Sequence, residues 1–207
     1  ILKVDQLKDS GGNAIITSDG SGNLTPNFNN AGGLVLLSSV TVSSGDASVE
    51  FTNLDTSTYK RFIVTAHNVK SATDNVNLRL QSSTDNGSSY KTGASDYSYM
   101  HSGIRVGGSI QYVGDNDNNN ITLFHSETKQ GTATGEESSW VVEFTNLDSD
   151  TGKNIFYKMS LRNPAANFAM VSGTAQFKHT GSVNAFKFFW SSGNWGQGNL
   201  SLYGVRT

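Results

Sequence analysis

The chain alternates short apolar runs with polar turn residues along most of its length. Between residues 75 and 80 apolar and polar residues alternate strictly, and Phe186, Phe188 and Trp190 show the same two-residue spacing. This period is typical of β-strands with one buried face, and no segment carries the 3.6-residue apolar stripe of an amphipathic helix. The pattern predicts twelve short strands, at residues 34–42, 47–52, 59–68, 76–83, 96–106, 110–113, 120–124, 138–145, 154–162, 168–177, 183–190 and 200–205.

Strands at this spacing predict an all-β fold for residues 34–207, an antiparallel β-sandwich with jelly-roll-like connectivity. Residues 1–33 differ, because two strand-length pieces at 1–7 and 14–17 are separated by strong turn signals and followed by the Asn- and Gly-rich stretch 27–33. We predict a short extended N-terminal arm and linker there. Because so short an arm cannot bury a core of its own, it should be ordered only against a partner or the neighbouring domain. The alternative is a disordered terminus.

One internal repeat is visible, since the string EFTNLD occurs at residues 50–55 and again at 143–148. Lys60 and Lys153 follow the two copies at the same offset. The repeat predicts two similar strand-turn-strand units at equivalent positions in the two halves of the sandwich. The alternative is a chance match within a composition of few residue types.

Composition narrows the class of partner. Ser, Thr, Asn and Gly make up 90 of the 207 residues, charged residues are 15%, and the net charge is −2 without any cluster of Lys or Arg. Nucleic acid is therefore not an expected partner. The absence of Cys excludes disulfides, thiolate zinc sites and Cys nucleophiles. No apolar run approaches about 18 residues and no signal-peptide pattern is present, so we expect a soluble protein without membrane insertion.

The sequence offers little catalytic chemistry. It contains no G-x-S-x-G motif, and its four His residues lack metal-binding spacing. The stretch 114–120 begins like a calcium loop but has Asn120 and Ser126 where an EF-hand needs Gly and Glu, so a solvated turn is expected and calcium is the weaker alternative. We predict a protein without enzymatic activity, metal or cofactor. The alternative is a polysaccharide-cleaving enzyme using Glu136 and Glu137; Glu127 and Asp96 are further carboxylates without a paired context.

Two aromatic groups are the ligand-binding candidates. Trp195, with Asn194 and Gln197, lies in a loop of small and amide residues, where an exposed indole could stack on a sugar or anchor a protein contact. The alternative is that Trp195 folds back onto the sandwich edge. Tyr97 and Tyr99 form a second group, which belongs either to an exposed interface or to the core, since alternation places both on one face.

Several segments together resemble a known family. Residues 38–42 leading into 49–52, residues 78–90, and the closing stretches 186–194 and 198–205 resemble a β-sandwich domain of tailed-bacteriophage virion proteins. Residues 2–9 with Gly12 and Asn13 look like the leading segment of many phage fibres, especially those of marine phages. These segments are distributed along most of the chain, from residue 2 to residue 205.

The resemblance implies a virion structural protein on the surface of the extracellular particle, made in the host cytoplasm and commonly trimeric. The arm would dock on other virion proteins of the capsid or tail, and the sandwich could bind host-surface glycan. Because the long shaft of a fibre is lacking here, a short fibre or spike is expected, and a capsid decoration (cement) protein is the alternative. The apolar residues expected to anchor the arm are Leu2, Val4, Leu7, Ile15 and Ile16.

Overall fold

A computed structural model describes residues 6–21, 23–26, 33–124 and 128–206. Within these ranges every regular element is a β-strand, so none contains a helix that could cross a membrane. The chain divides into two compact units, Ile1–Gly33 and Leu34–Thr207. The predicted anchor residues Leu2 and Val4 lie outside the described residues.

The smaller unit is an antiparallel meander in which the middle strand pairs with both neighbours. Its strands are β1 (Gln6–Lys8), β2 (Ala14–Ser18) and β3 (Leu24–Pro26).

Two five-residue turns with the same hydrogen bonds connect these strands. In the first, the Asp9 carboxylate accepts the backbone N–H of Gly11 and of Asn13, both at 2.9 Å. In the second, the Asp19 carboxylate accepts the backbone N–H of Asn23 at 3.2 Å. Aspartate favours such turns because its short side chain replaces a backbone acceptor. The two turns set the strand spacing of this unit.

The described residues of the larger unit form twelve strands, one for each that the sequence predicts. They are β4 (Leu34–Val42), β5 (Ser48–Phe51), β6 (Tyr59–Ser71), β7 (Leu78–Ser83), β8 (Tyr97–Arg105), β9 (Gln111–Asn118), β10 (Ile121–Thr122), β11 (Ser138–Thr145), β12 (Lys153–Arg162), β13 (Phe168–Phe177), β14 (Ala185–Trp190) and β15 (Trp195–Arg206).

These strands form two antiparallel sheets. The large sheet has the order β4-β15-β6-β11-β12-β13-β8-β9, and the small sheet has the order β10-β7-β14-β5. Their apolar faces meet in one cluster of buried side chains, as in a β-sandwich. The predicted all-β, antiparallel fold is confirmed, whereas the jelly-roll connectivity stays a prediction. β9 and β15 differ most from their predicted ranges, because β9 ends five residues later, at Asn118, and β15 begins five residues earlier, at Trp195.

Aromatic side chains from both sheets meet at Phe186, which is fully buried on β14. The Phe144 ring, from the large sheet, stacks on it at 4.3 Å between centroids. The Phe51 ring, its neighbour in the small sheet, lies at 5.6 Å. Such pairs add to the stabilisation from burial alone.

Phe51 and Phe144 are equivalent residues of the EFTNLD repeat, whose copies lie at β5 in the small sheet and β11 in the large sheet. In both turns the Asn has a left-handed backbone, with φ of 56° at Asn53 and 58° at Asn146, which Asn tolerates better than most residues. The following residues, Leu54 and Leu147, are buried. The repeat thus encodes the same strand-to-turn connection once in each sheet.

Lys153, at the start of β12, is completely buried. Its ammonium group donates to the carbonyl oxygens of His179 at 2.6 Å and Asp150 at 3.3 Å. Burial lowers the pKa of this lysine, because removal from water disfavours the charged form. The Asp150 carboxylate in turn accepts the Gly181 N–H at 2.9 Å. Lys153 therefore ties together the turns before β12 and before β14.

Candidate functional site

Trp195 is not exposed, and the prediction of an open indole at a hairpin tip is wrong. Its exposed fraction is 0%, and its ring lies 5.2 Å from that of Trp190. The backbone explains this position, because the Trp195 N–H donates to the Asp46 carbonyl at 2.8 Å and the residue pairs with Ser71 of β6. The alternative, in which Trp195 folds back onto the sandwich, is the one that the structure shows.

The two residues predicted to assist Trp195 have structural partners of their own. Asn194 is exposed, and its carbonyl accepts the Ala72 N–H at 2.9 Å. The Gln197 amide donates to the Asn68 side chain at 2.8 Å. Trp195, Asn194 and Gln197 therefore do not form an open aromatic platform, and the structure does not support them as a ligand site.

Tyr97 and Tyr99 lie on the inner face of β8, so the core alternative holds for Tyr97. The Tyr97 hydroxyl accepts the Ser82 N–H at 3.0 Å and donates to the Lys91 carbonyl at 2.9 Å. Burial raises the pKa of Tyr97 to about 12. Tyr99 is partly buried and stacks on His101 at 5.9 Å. Neither ring forms an exposed interface.

The opposite face of β8 carries a groove that the sequence did not single out. The groove has a volume of about 410 Å³ and is bounded by β8, β9 and β13. Strand register places Ser172, Ser102 and Tyr112 in one row across these strands, since directly paired residues project to the same side. We call this the outer groove.

Gly114 opens space in the floor of the outer groove. It pairs with Met100, and a Cβ atom at Gly114 would lie 3.2 Å from the Met100 Cβ and 3.1 Å from the Tyr99 carbonyl oxygen. With glycine there, Met100 and Tyr112 stand out with exposed fractions of 62% and 78%. These two side chains form the apolar part of the groove.

A second groove of about 220 Å³ adjoins the first and shares Met100 and Thr174 with it. Amide groups line it, among them those of Asn116, Asn154 and Gln176. Among the described residues that line the two grooves, none is Asp, Glu, Lys or Arg. The combined surface therefore offers an aromatic ring, a thioether, hydroxyls and amides, without fixed charge.

Beneath the outer groove, His101 and Tyr157 form a buried pair. Nδ1 of His101 lies 3.0 Å from the Tyr157 hydroxyl, and burial raises the pKa of Tyr157 above its ordinary value. Gly173 separates this pair from the groove, and its lack of a side chain lets the two rings approach. The buried His101–Tyr157 contact therefore lies directly beneath the groove floor.

The described carboxylates among those considered for catalysis each form a separate structural contact. Glu136 is buried and accepts the Ala133 N–H at 2.8 Å within its own loop. Glu137 pairs with Lys70 at 3.3 Å. Asp96 accepts the Gly93 N–H at 2.6 Å, and Glu127 lies outside the described residues.

The stretch 114–120, considered for calcium, runs from β9 into the turn before β10. Asp115 accepts the Asp117 N–H at 3.1 Å and the Asn118 amide at 2.8 Å. Asp117 pairs with Lys178 at 2.7 Å, which holds the pKa of this carboxyl below its usual range. In the described part of the chain, no group of three or more His, Cys, Asp or Glu side chains could hold a metal ion.

The described anchor residues of the arm lie on the small meander. Leu7 of β1 has an exposed fraction of 54%, and Ile15 and Ile16 of β2 are half-buried. All three residues of β1 are exposed. The described apolar side chains of β1 and β2 are therefore partly open to water.

No family model, no curated protein and no solved structure matches the chain.

Proposed function

We propose that the chain is a non-enzymatic bacteriophage virion structural protein, a short appendage anchored by residues 1–33 with the sandwich as its outer module. The observation that carries this proposal is the division of the chain into a small meander and a large sandwich. A three-stranded sheet with exposed Leu7 and half-buried Ile16 gains stability by packing against a partner, as an anchoring segment would. The sandwich, in contrast, has its own core.

The outer groove supports the adhesive part of this proposal. Sugars present apolar ring faces edged by hydroxyls, so they suit an exposed aromatic ring next to neutral hydrogen-bonding groups. Tyr112 supplies the ring, Ser102 and Ser172 supply hydroxyls, and the adjoining groove supplies amides. A neutral host-surface glycan is the ligand class that this lining fits.

The virion role is tested by the number and position of copies on purified particles, using gel densitometry and imaging of a labelled chain. A few tens of copies or fewer at the tail or a vertex are expected for an appendage. Replacement of Leu7 and Ile16 by Asp should prevent incorporation, because it places charge on the apolar side chains of the meander. Absence of the wild-type chain from particles would overturn the virion role.

The adhesive role is tested by glycan-array and whole-cell binding. Tyr112→Ala should weaken binding by roughly tenfold or more, the size expected for an aromatic anchor. Tyr203→Ala is the matched control, since Tyr203 lies on the same sheet but pairs with Ile63 and Leu36, away from the groove. Equal loss in both variants, or no binding by the wild-type chain, would contradict adhesion while leaving the virion role intact.

A capsid decoration protein is the second candidate, favoured by the apolar side chains on the outer face of the large sheet. Phe156, Phe168 and Met170 have exposed fractions of 52%, 57% and 48% there. A broad surface of this kind suits contact with another protein surface. Hundreds of copies spread over the head, and particles that burst at lower temperature without the protein, would favour this candidate over the appendage.

A further inference from the structure

The two sheets have four edge strands, and three of them have features that discourage pairing with another chain. β9 carries Asp115 and Asp117, β5 has four residues including Glu50, and β10 has two residues. Charge and short length are the usual protections of a sheet edge, whose unpaired N–H and C=O groups otherwise accept a further strand. The fourth edge, β4, has neither.

β4 is a nine-residue strand with the sequence LVLLSSVTV, which contains no charged residue and no proline. Of its side chains only Val42 is buried, and Leu34 and Leu36 have exposed fractions of 57% and 56%. Among the described strands, β4 pairs with β15 alone. Alternate residues of an antiparallel edge direct both backbone groups away from the neighbouring strand, so β4 presents a row of free donors and acceptors.

A cleft lined by apolar, polar and acidic side chains opens beside the same edge. A bulge in the pairing of β4 with β15 leaves Leu37 without a partner residue, and Leu37 lines a cleft of about 410 Å³ with Leu202, Phe51 and Leu54. Because this cleft lies between residues of β4 and β5, the sandwich is open along this side. An added strand would cover both the free backbone and the exposed leucines.

We propose that β4 pairs antiparallel with β4 of a second copy of this chain, joining the two large sheets into one continuous sheet. Antiparallel strands are self-complementary about a two-fold axis, so the backbone donors and acceptors of two identical edges can hydrogen-bond to one another. Neutral β4 strands meet without charge repulsion, whereas two copies of β9 would bring four aspartates together. A second copy therefore fits β4 better than it fits the other long edge.

This inference is independent of the virion role, since two β4 strands can pair whether or not the chain belongs to a particle. It also differs from the three-fold assembly implied by the resemblance, because a β4 pair closes with two copies. Molecular mass in solution separates the two states.

The first experiment measures the mass of the full chain by light scattering and sedimentation over a range of concentrations. A dimer is expected for the wild-type chain. Leu36→Lys should convert it to a monomer, because edge lysines oppose strand pairing. Phe156→Lys, an exposed apolar position in the middle of the same sheet, should leave the dimer unchanged. Circular dichroism checks that both variants are folded.

The second experiment uses the absence of Cys from the chain. Single variants Leu36→Cys, Ser39→Cys and Thr41→Cys place a thiol along β4, and Gln111→Cys places one on β9. Under mild oxidation a cross-linked dimer is expected from the β4 position nearest the two-fold axis, where paired Cα atoms come within about 7 Å, and not from Gln111→Cys. The cross-linking result still tests the proposal if the Leu36→Lys variant fails to fold.

Three results would overturn the proposal. They are a monomer at every concentration, an oligomer that Leu36→Lys leaves intact or Phe156→Lys dissociates, and cross-linking through β9 in place of β4.

Discussion

Gly173 occupies a point on β13 where two side chains from neighbouring strands meet. An added Cβ atom would lie 2.5 Å from the His101 Cβ and 2.5 Å from the Tyr157 ring. These distances are well below van der Waals contact, so any side chain at residue 173 would force the His101–Tyr157 pair apart. The floor of the outer groove thus depends on one glycine.

Gly173→Ala should lower the free energy of unfolding by about 1–3 kcal/mol through overpacking. Urea denaturation measures the change. Ser172→Ala is the control, because Ser172 projects into the outer groove from the neighbouring position and its replacement should change stability by less than about 0.5 kcal/mol. Equal stability of Gly173→Ala and the wild-type chain would show that the two rings can move apart freely.

Trp195→Ala should lower the free energy of unfolding by about 3–5 kcal/mol, because it leaves a cavity beside Trp190 in a fully buried site. Asn194→Ala, at the exposed adjacent residue, should have little effect. Thermal and urea unfolding measure both variants. A Trp195→Ala protein as stable as Asn194→Ala would contradict the buried position of this indole.

The burial of Trp195 and the exposure of Tyr112 could not be predicted from local sequence. Tyr112 falls in the predicted strand 110–113 and Trp195 in a predicted loop of small and amide residues, and neither local pattern indicates the observed exposure. The difference comes from distant residues, since Trp195 is held by the Asp46 carbonyl and by pairing with Ser71, whereas Tyr112 lies on the edge strand β9. The exposure of a side chain depends on where its strand lies in the sheet. The sequence of a single strand does not reveal that position.

At the scale of elements, two exposed aspartates organise the turns before β6 and after β7. The Asp55 carboxylate accepts from the Ser57 hydroxyl at 2.5 Å and the Thr58 N–H at 3.0 Å. The Asp85 carboxylate accepts from the Ser83 hydroxyl at 2.6 Å. These hydrogen bonds favour the charged carboxylates and lower the pKa of each residue to about 2.

These lowered pKa values predict a loss of stability in acid. In the unfolded chain both carboxyls titrate near about 3.9, so the folded state is favoured above that pH and loses this contribution as pH falls toward about 2. Urea midpoints measured between pH 5 and pH 2 should therefore fall steadily. The double variant Asp55→Asn and Asp85→Asn should begin less stable at pH 5 and show a shallower fall. Parallel pH profiles would contradict a role for these two turns.

The sequence predicts the bounds of a strand well where the apolar–polar alternation ends at clear turn residues. The bounds of β4, β11 and β13 coincide with the predicted ranges, because each strand has a periodic apolar face or a run of β-branched residues between clear turns. The EFTNLD repeat likewise marks a real turn in each sheet. What the pattern could not supply is the sheet to which each strand belongs, since that depends on pairings such as β4 with β15 at opposite ends of the large unit.

At the scale of the whole molecule, the buried apolar cluster of the described residues belongs to the larger unit. Every residue of the buried apolar cluster lies between Val42 and Leu202. The sandwich should therefore fold without the segment that precedes it. This separation is also what the anchoring role of residues 1–33 would require.

Deletion of residues 1–33 should leave a folded sandwich whose free energy of unfolding changes by less than about 1 kcal/mol, or a few degrees in Tm for a domain of this size. Circular dichroism and calorimetry test this expectation. The full-length chain is the reference, and Phe186→Ala in the truncated chain is the positive control for loss of core packing. An unfolded truncated chain would show that the meander contributes to the stability of the sandwich.

The three tryptophans have a consequence for how the molecule can be observed. Trp140 packs on Phe188 at 4.9 Å and Trp190 packs on Trp195, so all three indoles lie against the second half of β14. Their emission should be shifted to the blue in the native state, and quenching by solutes should be weak. Because the smaller unit contains neither Trp nor Tyr, its melting or docking should be silent in this fluorescence signal, which reports on one end of the sandwich alone.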